Sequence, residues 1–174
     1  SNSVGMGIGQ KLLAGRYAEG AEDLFDHKIF VFAGDGCLME GVSSEASSVA
    51  GHLGLDNLVV IYDDNHISIA GDTKLAFTED VCKRYEAYGW HTQRIDGHNY
   101  EAIDQAIATA VSVKGKPCLI AARTHIGKGS PNKVDTHGVH GSALGKDEMA
   151  KTKAALNWPA EPTFYIPEET KKIF

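Results

Sequence analysis

Two short clusters of oxygen-bearing side chains each close an apolar run. Gly34-Asp35-Gly36 follows residues 29–33, and Asp63-Asp64-Asn65 follows residues 58–62. If both runs are buried parallel strands, both clusters lie at the carboxyl edge of one sheet, where open α/β sheets bind ligands. Carboxylate, carboxamide and carbonyl oxygens are hard donors suited to Mg²⁺ or Ca²⁺, and such cations hold phosphorylated groups. Asp35 by itself also fits the N-cap of a tight βα turn. Asn65 at the next strand end shifts the balance to a metal, with backbone around Ile67 offering a carbonyl donor. The N–H of Gly36, with no Cβ in the way, then faces the phosphate at the start of a helical segment whose dipole favours anions.

Other polar residues have weaker claims. Glu40 and Glu45 stand about one helical turn apart among small residues. They are either solvated or a partly buried acidic cluster at an interface, and spacing does not choose between these. His125, His137 and His140 fall within sixteen residues, but no further Cys or His completes a tetrahedral zinc site. Histidines that donate to a diphosphate or move protons are the better reading. His52, His66, His91 and His98 read as surface or turn residues, and Lys128 as solvated.

The elements that must position these groups follow from periodicity and punctuation. Residues 3–18 have helical spacing, with glycines that imply close packing against a neighbour. Strands are expected at 28–33, 58–62, 90–95 and 117–122. Helices are expected at 39–53 (Gly54 as C-cap), 79–88, 100–113 (Asn99 as N-cap) and 146–156. Residues 65–78 read as a long polar loop, and 124–145 as an irregular segment rich in Gly and His. Strand–helix alternation with non-alternating apolar strands predicts an α/β fold: a doubly wound, mostly parallel sheet with helices on both faces. The domain is assigned to residues 1–157, incomplete at its N-terminus, and 158–174 to an extended linker leading out.

Bulk properties narrow the partners. A chain of 174 residues with net charge −6 supports one core and disfavours nucleic acid or an anionic membrane surface. No apolar run is long enough to cross a bilayer. Cys37, Cys82 and Cys118 are sparse and odd in number, which fits buried thiols in a reducing compartment, here the cytoplasm.

With these residues in hand, the chain resembles the thiamine diphosphate-dependent enzymes, whose shared motif is this GDG…N pattern, and within them the transketolase family. The matching runs are GDGCLMEG at 34–41, SEA at 44–46, IYDDN at 61–65, RYEAYGW at 84–90, IGKGSPNK at 126–133 and HGVHG at 137–141. The likeness covers essentially the whole chain. It implies a thiamine diphosphate-binding fold and metal ligation by Asp35, Asn65 and the Ile67 carbonyl, with Mg²⁺ or Ca²⁺ as the ion. Gly36 and Asn65 would also touch the diphosphate, Ile69 and Ile126 would line the thiazolium ring, and His140 would contact both diphosphate and sugar as the catalytic residue. His137 lies beside it without a defined role. Glu40 and Glu45 match acidic residues at the family's dimer interface, which favours the interface reading and a homodimer.

The same resemblance implies transfer of a two-carbon ketol unit from a ketose phosphate to an aldose phosphate in the pentose phosphate pathway. The family's site also needs a pyrimidine-binding domain, of the same or a second subunit, carrying an activating Glu. Neither that domain, nor a C-terminal domain, nor the upstream histidines and Gly-rich loop have counterparts in the chain, so ketol transfer is not expected of it alone. Competing readings are a dihydroxyacetone synthase or deoxyxylulose-phosphate synthase relative, and a non-catalytic module retaining the fold. A Mg²⁺ phosphatase of the haloacid dehalogenase type would need a D-x-D-x-[TV] strand end before Gly34, and none occurs.

Overall fold

Runs of Val, Ile and Leu without polar alternation form strands buried on both faces. In the computed structural model, which describes residues 1–17, 19–20 and 22–174, β1 (Ile29–Gly34), β2 (Leu58–Asp64), β5 (His91–Asp96) and β6 (Cys118–Arg123) make one sheet in the order β1-β2-β6-β5. Every pairing in that sheet is parallel. All four carboxyl ends therefore share one edge. The Gly34↔Asp63 register sets the two clusters beside each other there.

Alternation along β2 divides the core in two. Leu58, Val60 and Tyr62 join Ile29, Leu119 and Ala121 on one face, under α1 (Asn2–Tyr17), α2 (Asp35–Met39), α3 (Gly41–His52) and α4 (Val81–Ala87). Val59 and Ile61 join Cys118 and Ile120 on the other, under Ala106 and Ala110 of α5 (Tyr100–Ser112). Each Val, Leu or Ile among them fully taken out of water contributes about 1.5–3 kcal/mol. The expected doubly wound α/β architecture holds. The second face is covered unevenly, because α5 lies over β5 and β6 and leaves Phe32 of β1 79% exposed.

Capping residues set several boundaries. Asn99 accepts from the Ala102 N–H at 3.0 Å, as expected of an N-cap. Asp80 caps α4 through the Lys83 N–H. Gly54 follows the end of α3 at φ 59°, where a Cβ would stand 2.8 Å from the Gly115 carbonyl oxygen. α6 (Lys146–Ala155) matches its expected span.

Five expectations change. The helix at 39–53 is two helices, because Glu40 is extended (φ −67°, ψ 131°) between α2 and α3. Its carbonyl accepts both the N–H and the hydroxyl of Ser43, which fixes the break. The loop at 65–78 contains a hairpin of β3 (Ile67–Ser68) and β4 (Gly71–Asp72) followed by a 3-10 turn at Thr73–Leu75. The segment 158–174 is not extended throughout, since Glu168–Ile173 forms a helix, α7. Close glycine packing in α1 is confined to Gly7, whose carbonyl accepts from Asn57 Nδ2 at 2.9 Å; Cβ atoms at Gly5, Gly9 and Gly15 would meet open space. Of the expected buried thiols, Cys82 and Cys118 are buried and Cys37 is exposed.

The tightest backbone approach lies between α3 and the turn after α4. A Cβ on Gly51 would sit 1.8 Å from the Tyr88 carbonyl oxygen, backbone that cannot rotate away. Gly51→Ala is therefore expected to cost about 3 kcal/mol, the upper end for overpacking, read as a lower midpoint in urea denaturation.

Candidate functional site

The site begins at the end of β1. Gly34 caps α2, so Asp35 is the first helical residue and not the cap. Its side chain turns to the neighbouring strand, where Oδ1 accepts the Tyr62 hydroxyl at 2.6 Å. Oδ2 is buried with no hydrogen-bond partner. Burial raises the Asp35 pKa above the usual 3.8; the Tyr62 bond opposes that rise, the nearby Asp64 charge reinforces it, and the His66 ring and backbone N–H oppose it more weakly. A buried carboxylate oxygen with no donor in good hydrogen-bond geometry is a costly arrangement that a cation relieves.

Asn65, at the end of β2, is also buried. Its Oδ1 accepts the Ile67 N–H at 2.9 Å, and Nδ2 donates to Asp63 Oδ2 at 3.1 Å. Such a side-chain bond to the backbone two residues on is an Asx-turn. It holds His66 at φ 62° and starts the β3–β4 hairpin. Asp63 in turn accepts the Thr124 hydroxyl, and Arg123 Nη1 donates at 2.7 Å to the carbonyls of Asp64 and Thr124. The ends of β2 and β6 are thus tied together, with Ile126 just beyond.

A cleft of about 570 Å³ opens at this edge, and Asp35, Gly36, Asn65, Ile67, Ile126 and His140 line it together. No atom lies within 4 Å of where a Gly36 Cβ would be, so the missing side chain leaves room for a ligand against the backbone. Of the residues expected to contact the cofactor, Ile69 alone falls outside the lining; His137 and Glu45, for which no cofactor contact was expected, lie outside it too. Ile69 is 80% exposed on the β3–β4 turn. His137 is exposed at the start of the 3-10 turn His137–Val139. Glu45 is exposed within α3, and Glu40 lines the cleft from the break before that helix. The pair therefore does not share a helix, as their spacing had implied. His125 pairs with Asp135 at 2.7 Å and stacks on His98.

Sequence reasoning passed over Tyr62, the direct partner of Asp35, and Asp63, the partner of Asn65. The signal for Tyr62 was available, since a tyrosine in a buried strand must place its hydroxyl on an acceptor. Among the histidines expected at the surface, His52 and His66 are exposed, while His91 is half-buried with Nε2 buried and unpartnered.

The segment carrying Ile126 and His140 is clamped from α6. Glu148 accepts the Ser130 hydroxyl at 2.5 Å, the Asn132 N–H at 2.8 Å and Asn132 Nδ2 at 2.9 Å. These three donors hold its carboxyl down to about 2 from the usual 4.5. The Asp135 N–H then donates to the Ile126 carbonyl at 2.9 Å, closing the loop over the cleft.

A parallel α/β sheet with hard oxygen donors, an open glycine and a histidine around one cleft at its carboxyl edge defines a ligand-binding domain of the doubly wound class. Residues 1–174 match the family described as transketolase, thiamine diphosphate binding domain. The chain belongs to that family. It is 51% identical over 173 residues to transketolase 10 of Craterostigma plantagineum, covering 98% of this chain and 25% of that protein. It is 52% identical over 171 residues to the transketolase of a Nostoc strain, covering 97% and 25%. The solved transketolase of Campylobacter jejuni superimposes with TM-score 0.93 at 42% identity, covering 99% of this chain and 27% of that one, and that of Leishmania mexicana with 0.94 at 40%, covering 99% and 26%. The chain spans about a quarter of the length of the relatives it matches. No helix among the described residues is long and apolar enough to cross a membrane.

Because Glu148 has a folded pKa below its unfolded one, its contribution to stability is full above about 4.5 and is lost as pH falls through about 2. Glu148→Gln is expected to lower the melting temperature at pH 7, with the difference from the unsubstituted chain closing steadily between pH 5 and about pH 2. A difference independent of pH in thermal melts contradicts the clamp.

Proposed function

We propose that this chain holds the diphosphate and divalent-cation half of a transketolase active site. The observation that carries the reading is the shared cleft, in which a buried, unpartnered carboxylate oxygen on one strand end adjoins a buried carboxamide on the next. Asp35, Asn65 and the Ile67 carbonyl would hold Mg²⁺, or Ca²⁺ in its place, since all three supply hard oxygens. Asn65 does double duty: its Asx-turn sets the course of the chain at Ile67 and so links two of the three donors. The Gly36 backbone would meet the diphosphate without a side chain between. Ile126 supplies an apolar wall of the cleft, and His140 stands where it can donate to a diphosphate or sugar oxygen.

Thiamine diphosphate, when bound, supplies the nucleophilic carbon that breaks and re-forms a carbon–carbon bond of the sugar. The residues of this chain anchor and orient that group. In our reading the reaction is transfer of a two-carbon ketol unit between sugar phosphates within the pentose phosphate pathway. It is completed by a pyrimidine-binding domain on the same or a second subunit, in a homodimer whose interface includes the start of α3 near Glu40 and Glu45. Buried, unpaired Cys82 and Cys118 support a reducing, cytoplasmic setting. Residues 1–157 form the domain in this reading, and 158–174 lead away from it, ending in α7.

Ile69, exposed and outside the cleft, reaches the cofactor in this reading only from the β3–β4 turn, once the cofactor extends beyond the diphosphate. His137 serves beside His140 without a contact of its own. A relative of the dihydroxyacetone synthase or deoxyxylulose-phosphate synthase type would share the same anchor, and a donor–acceptor screen of the complete enzyme separates these readings.

Calorimetric titration with thiamine diphosphate and Mg²⁺ tests the anchor. Asp35→Ala and Asn65→Ala are each expected to weaken binding by at least about 100-fold, more than is typical of residues that only support a ligand. Binding that neither substitution weakens removes the assignment. The 174-residue chain is expected to show no ketol transfer from xylulose 5-phosphate to ribose 5-phosphate on its own, and turnover in a coupled assay refutes that expectation.

A further inference from the structure

We propose that Tyr62 is the positioning residue of the cation site: its hydroxyl holds Asp35 Oδ1, and so assigns Oδ2 as the oxygen that meets the metal. The proposal rests on the reading of Asp35 as a metal ligand. The two carboxylate oxygens of Asp35 are not equivalent in the structure, because one accepts the Tyr62 hydroxyl at 2.6 Å and the other is buried without a partner. The terminal torsion of an aspartate is broad and nearly two-fold. An Asp35 lacking that bond would interconvert its oxygens and swing within its space, and a cation would have to fix it at the moment of binding. Tyr62 fixes it beforehand.

Tyr62 is itself immobile. It lies in a central strand, 4% exposed, with Ala33 and Ala121 as its register partners on the two neighbouring strands. Small residues on both sides leave room for the ring on that face. Its hydroxyl also lies 3.1 Å from Asp64 Oδ1, which in turn lies 3.1 Å from His66 Nε2. Having one proton and two acceptors, the hydroxyl gives the shorter bond to Asp35. Partners standing behind a metal ligand typically change metal affinity by about 10–100-fold.

The test is a Mg²⁺ titration at saturating thiamine diphosphate, by calorimetry, on the unsubstituted chain, Tyr62→Phe and Asp35→Ala. Tyr62→Phe is expected to raise the Mg²⁺ midpoint about 10-fold or more and to leave thiamine diphosphate affinity at saturating Mg²⁺ within about two-fold. General loosening of the domain would move both quantities and the melting temperature together. A Tyr62→Phe midpoint equal to that of the unsubstituted chain, with Asp35→Ala impaired, overturns the positioning role and leaves the metal assignment standing. Unimpaired Asp35→Ala overturns both. A second measurement keeps the original hydrogen bonds in place: 3-fluorotyrosine is incorporated at position 62, and its fluorine signal is followed as Mg²⁺ is added. A shift that saturates with the binding midpoint supports the proposal, and a signal indifferent to Mg²⁺ overturns it.

Discussion

The carboxylate of Asp35, buried where β1 passes into α2, is the constraint around which the rest is arranged. An anionic oxygen removed from water without a well-placed donor is unfavourable by itself, yet this one is held in place by a buried strand pairing. The parallel pairing of β1 with β2 brings Tyr62 to one of its oxygens. That pairing depends on two apolar cores, one on each face, so the whole domain underwrites the position of one side chain. A buried carboxylate oxygen kept short of partners fits a family described as a thiamine diphosphate binding domain.

The second strand end is organised by different means. Asn65 has neither a charge nor a free choice of partners, since both ends of its amide are engaged, one with the backbone two residues on and one with Asp63. Its role in shaping the chain is therefore visible without any ligand, in contrast to Asp35. Beyond it, Thr124 and Arg123 bind the β6 end to the β2 end, and Glu148 secures the loop that brings Ile126 and His140 to the cleft. The irregular segment after β6 is ordered in good part by polar bonds to buried Glu148 and to backbone.

Much of this was legible from residue types. β2 and β6 announce themselves as apolar runs because both faces are covered, and Asn99 and Gly54 mark helix ends through side-chain capping and left-handed backbone. The break at Glu40 was not legible, because nothing in a run of small residues forbids a continuous helix; the carbonyl bonds to Ser43 decide it. Nor was the exposure of Phe32, since an apolar residue in a strand does not say whether a helix reaches over it. The short α7 lies in a stretch whose Pro and aromatic residues read as extended.

The chain's own residues determined the class of chemistry: Asp and Asn at consecutive strand ends, a glycine next to the acid, and histidines in a later loop require only local pattern, because strand termini in a parallel sheet must share an edge. Tertiary structure alone decided which of those groups meet. It placed Ile126 and His140 in the cleft and left Ile69, His137 and Glu45 outside it. It also supplied Tyr62 as partner to Asp35 across 27 positions of sequence. The reason is physical: identity and spacing set what a side chain offers, but register between strands and the path of a hydrogen-bonded loop set what it touches.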